Sequence, residues 1–175
     1  THDDHSDSIG RIQKRFPQAA IFVGDLSAEA LCKEYDLNVE RLFRIRGGEE
    51  YEFDDVKIEV ISARHTESKG GNYWDRGYCI QKDGSRRETM WYGSLEMYNF
   101  RITDVNGYRA VVWGGMTTEE QIHRMEKYSG NEIAFMHVSP KQDHQMFARL
   151  VQAINPKAVI PHHYDIWETL FAAKP

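Results

Sequence analysis

Hydrophobic positions along this chain fall in short runs and, in one segment, in strict alternation. Val56, Ile58 and Val60 alternate with Lys57 and Glu59, and this period of two predicts a strand over residues 56–61. Short apolar runs closed by glycine or polar residues predict further strands over 19–24, which reads as buried, and over 42–46, before a turn at Gly47-Gly48. Residues 8–16, which end at Pro17, read as a short helix. Ser27 is placed to cap a helix running through Tyr35, with Glu29 in its first turn. Two hairpins are predicted. One pairs 77–81 with 88–92 around Asp83-Gly84, and the other pairs 99–103 with 108–113 around Asn106-Gly107. The last third alternates: helix over 117–128, strand over 132–138, helix over 142–154, strand over 157–160 and helix over 167–172. Strands dominate early and a βαβ-like pattern follows, which makes an α/β protein with layered sheets.

Composition narrows the class. The chain has 175 residues, 41% of them hydrophobic and 28% charged, which suits one soluble domain with a real core. A formal net charge of −5 gives no global basic field to draw nucleic acid or an anionic membrane, and Arg86-Arg87 reads as a solvated turn. No apolar run reaches the roughly 18 residues of a membrane span, and no signal-peptide pattern is present. Cys32 and Cys79 form no C-x-x-C pair and read as two unrelated reduced thiols, which points to the cytoplasm. The first residue is Thr1 rather than Met, so a processed or trimmed chain is expected.

Candidate chemistry lies in three segments. His2-Asp3-Asp4-His5-Ser6-Asp7 gathers two imidazoles and three carboxylates before a helix, and divalent metals favour such donors. The alternative is an acidic, solvated terminus. His65 follows the 56–61 strand and opens a polar, glycine-rich loop in which Tyr73, Trp74 and Arg76 could line a pocket. Val159-Ile160-Pro161 reads as a buried strand running out into His162 and His163, either of which could be a ligand or simply pack. His137, late in its strand, could also lie near a site. His123 and His144 fall on helices and read as surface or packing residues. Trp74, Trp91, Tyr92 and Trp113 read as core or pocket wall.

The order of these segments resembles the metallo-β-lactamase superfamily, and in particular its ascorbate-6-phosphate lactonase-like branch. THDDH at residues 1–5 looks like the last five positions of the motif HxHxDH. SARH at 62–65 resembles the segment that carries the next histidine. AVIPHHYDIW at 158–167 is similar to the late-strand histidine segment of that branch and is the most specific match. The resemblance implies an αββα metallo-β-lactamase-like sandwich. Residues 1–175 would form a single, partial domain that lacks the fold's N-terminal strands. A histidine is expected immediately before Thr1.

In this family His2 and His65 would serve one metal, and Asp4, His5 and His163 the other. The second set is complete, with three protein ligands and an open position. The strand ending Val111-Val112-Trp113-Gly114-Gly115 resembles the one that normally ends in Gly-Asp, so Gly115 would replace the bridging aspartate. Gly93-Ser94 would leave too long a gap before the strand at Glu132. One zinc ion is therefore expected ahead of a second, with manganese or iron as other choices. The resemblance implies a hydrolase acting on a small ester, lactone, amide or phosphoester, with Asp4 orienting a water or accepting its proton. Two other readings stand beside it. One is a non-catalytic member that binds a ligand, a metal or a partner, and the other is an iron-containing oxidoreductase. A homo-oligomer or a separate segment could complete the fold.

Overall fold

The computed structural model describes residues 6–65, 72–76, 78–88, 96–138 and 142–163. The predicted helix at 167–172, Trp91 and Tyr92, and most of the strand predicted at 88–92 lie outside them. The chain divides into two compact units, Thr1–Gly47 with Arg64–Tyr98, and Gly48–Ala63 with Asn99–Pro175.

In the first unit, helix α1 (Ile9–Arg15), strand β1 (Ile21–Gly24), helix α2 (Ala28–Tyr35) and strand β2 (Leu42–Ile45) follow the predicted order. β1 and β2 pair in parallel, Ile21 beside Leu42 through Gly24 beside Ile45. Ile21, Val23, Ala28, Leu31 and Leu37 form its core, with Ile9, Cys32, Tyr35 and Leu42 packed against them. Cys32 and Cys79 are both free thiols.

The Ser27 side chain does not cap α2. Glu96 does that work instead. Its Oε1 accepts from the Leu26 and Ser27 backbone N–H groups at 2.8 and 3.2 Å and from the Ser27 hydroxyl at 3.3 Å, so a carboxylate meets the positive end of the helix. Gly24 leaves room for this cap, because a Cβ there would displace that carboxylate. A cap supplied from about 70 residues away leaves no local sequence signal.

Strands β5 (Tyr73–Asp75), β6 (Tyr78–Ile80) and β7 (Arg86–Glu88) form a small antiparallel sheet. The turn at Asp83-Gly84 is as predicted, with Gly84 at φ +84° and the Ser85 N–H bonded to Asp83 Oδ1. The second arm starts at Arg86, two residues earlier than expected. Arg86 and Arg87 are therefore exposed strand residues, not a turn.

The second unit is built on a six-stranded sheet of order β11-β10-β9-β8-β4-β3. Its strands are β3 (Glu50–Glu52), β4 (Val56–Ser62), β8 (Tyr98–Asp104), β9 (Arg109–Trp113), β10 (Asn131–His137) and β11 (Pro156–His162). The predicted hairpin joins β8 to β9, with Phe100 opposite Val112 and Thr103 opposite Arg109. Asp104 closes its turn by accepting from the Asn106 and Tyr108 N–H groups, and Gly107 takes φ +80°. β9, β10 and β11 are mutually parallel, joined through helices α3 (Glu119–Glu126) and α4 (His144–Ile154). That is two successive βαβ units, the arrangement anticipated for the last third. At the strand starts the Arg109 N–H donates to Glu132 at 2.7 Å, which holds that carboxyl below its usual range, with Lys157 adding to the effect.

The core of this unit lies between sheet and helices: Ile61, Val111, Trp113, Ile122, Met125, Tyr128, Ala134, Met136, Leu150 and Ile154. Val111 and Trp113, then Ala134 and Met136, are spaced by two, as a sheet face requires. α4 starts at Asp143, whose Oδ1 accepts from the Gln145 and Met146 N–H groups at 2.8 and 3.0 Å. Asp143→Ala is expected to lower stability by about 1 kcal/mol, read as a shifted urea midpoint at unchanged slope. An unchanged midpoint would show that the cap contributes nothing.

The strand predicted over 56–61 is present as β4, where Glu59, Val60 and Ile61 are all buried. β3 was not anticipated, since three polar-flanked residues carry no periodicity and take their conformation from pairing with β4. β11 is not buried. Among the described residues it is the outermost strand of the sheet, and Val159 and Ile160 are 40% and 42% exposed. An apolar run reports that a strand is favoured, not how many neighbours it gains.

Candidate functional site

Because β9, β10 and β11 are parallel, their carboxyl ends share one edge of the sheet, the place where α/β sheets put ligand-binding residues. Three segments meet there: Trp113-Gly114-Gly115 at the end of β9, His137 at the end of β10, and His162-His163 at the end of β11.

His137 and His162 are paired residues across β10 and β11 and so face the same side. It is the side opposite Ala134 and Met136, which point to the helices. A regular strand would send the next side chain, His163, to the other face. Instead the backbone of His163 turns left-handed at φ 64°. Its ring packs edge-on to that of His137, centroids 4.7 Å apart and planes at 78°. His137 and His162 have ring centroids 6.0 Å apart. A left-handed backbone is uncommon outside glycine, though histidine is among the residues that tolerate it, and it costs on the order of 1–2 kcal/mol.

The His162 ring is committed. Its Nε2 lies 3.0 Å from the Trp113 carbonyl oxygen. A carbonyl can only accept, so Nε2 carries the hydrogen and donates it. The Gly114 N–H donates to Asn99 Oδ1 at 2.8 Å, and Trp113 Nε1 donates to the Gly115 carbonyl at 3.0 Å. The short loop where the resemblance places a missing carboxylate is thus held by three side chains. Further along, Gln142 Nε2 donates to the Thr117 hydroxyl at 2.7 Å.

Of the predicted ligands, His163 is in this cluster. His65, half-buried, follows β4 by three residues and belongs to the first unit, where its neighbour Arg64 stacks 3.7 Å above the Tyr73 ring. His2, Asp4 and His5 lie outside the described residues. Among the described residues no three His, Cys, Asp or Glu side chains are grouped so as to hold a metal ion. His123 and His144 are exposed on their helices, as expected, and Trp113 is core. The sequence ranked His137 low, and its contact with His163 comes from strand pairing and one backbone torsion that have no local signature.

No family model matches the chain, and no curated protein matches it in sequence. Among solved structures, the metallo-β-lactamase fold protein YhfI from Bacillus subtilis is similar, with a TM-score of 0.56 at 13% identity. The similarity covers 96% of this chain and 66% of that one, so this chain spans just under two thirds of its length. At that identity the likeness establishes the fold, a mixed α/β architecture of metallo-β-lactamase type. Among the described residues no helix is long and apolar enough to cross a membrane.

Proposed function

We propose that the chain is part of a metal-dependent hydrolase acting on a small ester, lactone, amide or phosphoester. The observation that supports this most is the left-handed turn at His163, which turns its imidazole into a histidine cluster at the carboxyl edge of parallel strands, in a chain with this fold. AVIPHHYDIW further supports the ascorbate-6-phosphate lactonase-like branch.

The donor chemistry fits a borderline divalent ion. Imidazoles and a carboxylate suit zinc first, and manganese or iron also. Asp4, His5 and His163 would hold one ion, and His2 and His65 would contribute to a second position. Gly115 offers no carboxylate to bridge two ions, so one is favoured. A bound ion supplies Lewis acidity, lowering the pKa of water toward neutrality and polarising the scissile oxygen. Asp4 would accept the proton of the attacking water. Gly115 equally motivates a second reading, a non-catalytic protein that keeps the fold and binds a ligand, metal or partner.

Metal analysis of the purified chain tests this. About one equivalent of zinc, manganese or iron is expected, lost in both His5→Ala and His163→Ala. Absence of metal above background, or metal retained in both variants, would end the hydrolase reading. Stoichiometric metal with no turnover across a lactone, ester and phosphoester panel would favour the non-catalytic one.

A further inference from the structure

We infer that His137 is a positioning residue for His163, holding that imidazole in the orientation a metal ligand needs. This rests on the metal-site reading of His163 and adds a residue that the family resemblance does not assign.

A histidine that binds a metal works only if its ring is fixed, and neighbouring side chains usually do the fixing. His163 needs this more than most. It stands one residue past the end of β11, where the strand no longer dictates side-chain direction, and its backbone has left the extended region. His162 cannot serve, because its own Nε2–H is used on the Trp113 carbonyl. That bond instead ties the end of β11 to the end of β9, with the end of β10 between them.

His137 is in the right place. It is the last residue of β10, so its Cα is set by the sheet through pairing with β11. Its ring meets that of His163 nearly at right angles, the favoured arrangement for two flat π-systems. The contact links a ring on a paired strand to one just past a strand's end. The contact is made ring to ring, so a flat side chain at 137 is what this role requires.

Metal titration by chelator competition on the whole chain, with cobalt absorption spectra as a second readout, separates the possibilities. His137→Ala should bind the same number of ions with an affinity weakened roughly 10–100-fold and an altered cobalt spectrum. His137→Phe, which keeps a flat ring, should restore both nearly to wild type. His137→Gln, polar but ringless, should behave like the alanine variant and serves if that one does not fold. Wild-type affinity and spectrum in the ringless variants would overturn the inference. So would complete metal loss in His137→Ala without rescue by phenylalanine, which would make His137 a ligand. Either result leaves the metal-site reading standing. If wild type holds no metal, or His163→Ala keeps it, that reading fails first and the inference goes with it.

Discussion

Arg101→Met is expected to destabilise the unit carrying the six-stranded sheet by about 3–5 kcal/mol, because it strands a buried carboxylate. Glu59 and Arg101 stand on neighbouring strands, their side chains only 6% and 18% exposed. Arg101 grips the carboxylate with both Nε and Nη2, the latter 2.8 Å from Oε1. Its guanidinium also lies 5.1 Å from the Tyr128 ring centroid, and Lys127 approaches the same ring at 4.5 Å. Two charges taken from water are tolerable only together, so the loss of one should cost far more than the pair contributes. The double variant Glu59→Leu, Arg101→Met should therefore recover most of the loss. Urea unfolding of wild type, both single variants and the double variant measures this. A single-variant loss within ~1 kcal/mol would show that the pair behaves as an exposed one.

Trp113→Ala is expected to cost about 3–5 kcal/mol, as removal of a large buried aromatic side chain does. Trp113 is fully buried among residues from the sheet and both crossover helices. It does a second job, since its indole N–H holds the Gly115 carbonyl. Trp113→Phe keeps much of the volume and drops the donor, so a loss of about 1–3 kcal/mol is expected from the unsatisfied carbonyl, together with a smaller packing loss. The same urea experiment separates the two effects. If phenylalanine costs as much as alanine, indole shape and its hydrogen bond dominate. If alanine costs within ~1 kcal/mol, Trp113 does not anchor this core. The His162 bond goes to the backbone of residue 113, so neither variant removes its acceptor.

Local chemistry was legible where it acts over a few residues. Asn106-Gly107 marked the β8–β9 hairpin because its turn needs a positive φ, which Gly107 supplies. The helices predicted over 117–128 and 142–154 are present as α3 and α4, and each buries one face on the sheet. Alternation of Val56, Ile58 and Val60 marked β4 but carried no signal for the burial of Glu59. That burial depends on Arg101, 42 residues away, which pairs with the carboxylate.

The candidate site divides along the same line. The sequence alone singled out His163 as a candidate, and it marked the order of elements that makes the βαβ pairs and Gly115 at the position where the resemblance expects a carboxylate. Tertiary structure decided that β11 is the outermost of the described strands in its sheet, that Glu96 caps α2, and that His137 meets His163 while His162 is tied to β9. The reason is physical. Periodicity and turn chemistry record what neighbours along the chain prefer, whereas ring contacts, buried charge pairs and remote caps arise only once strand pairing brings distant residues together.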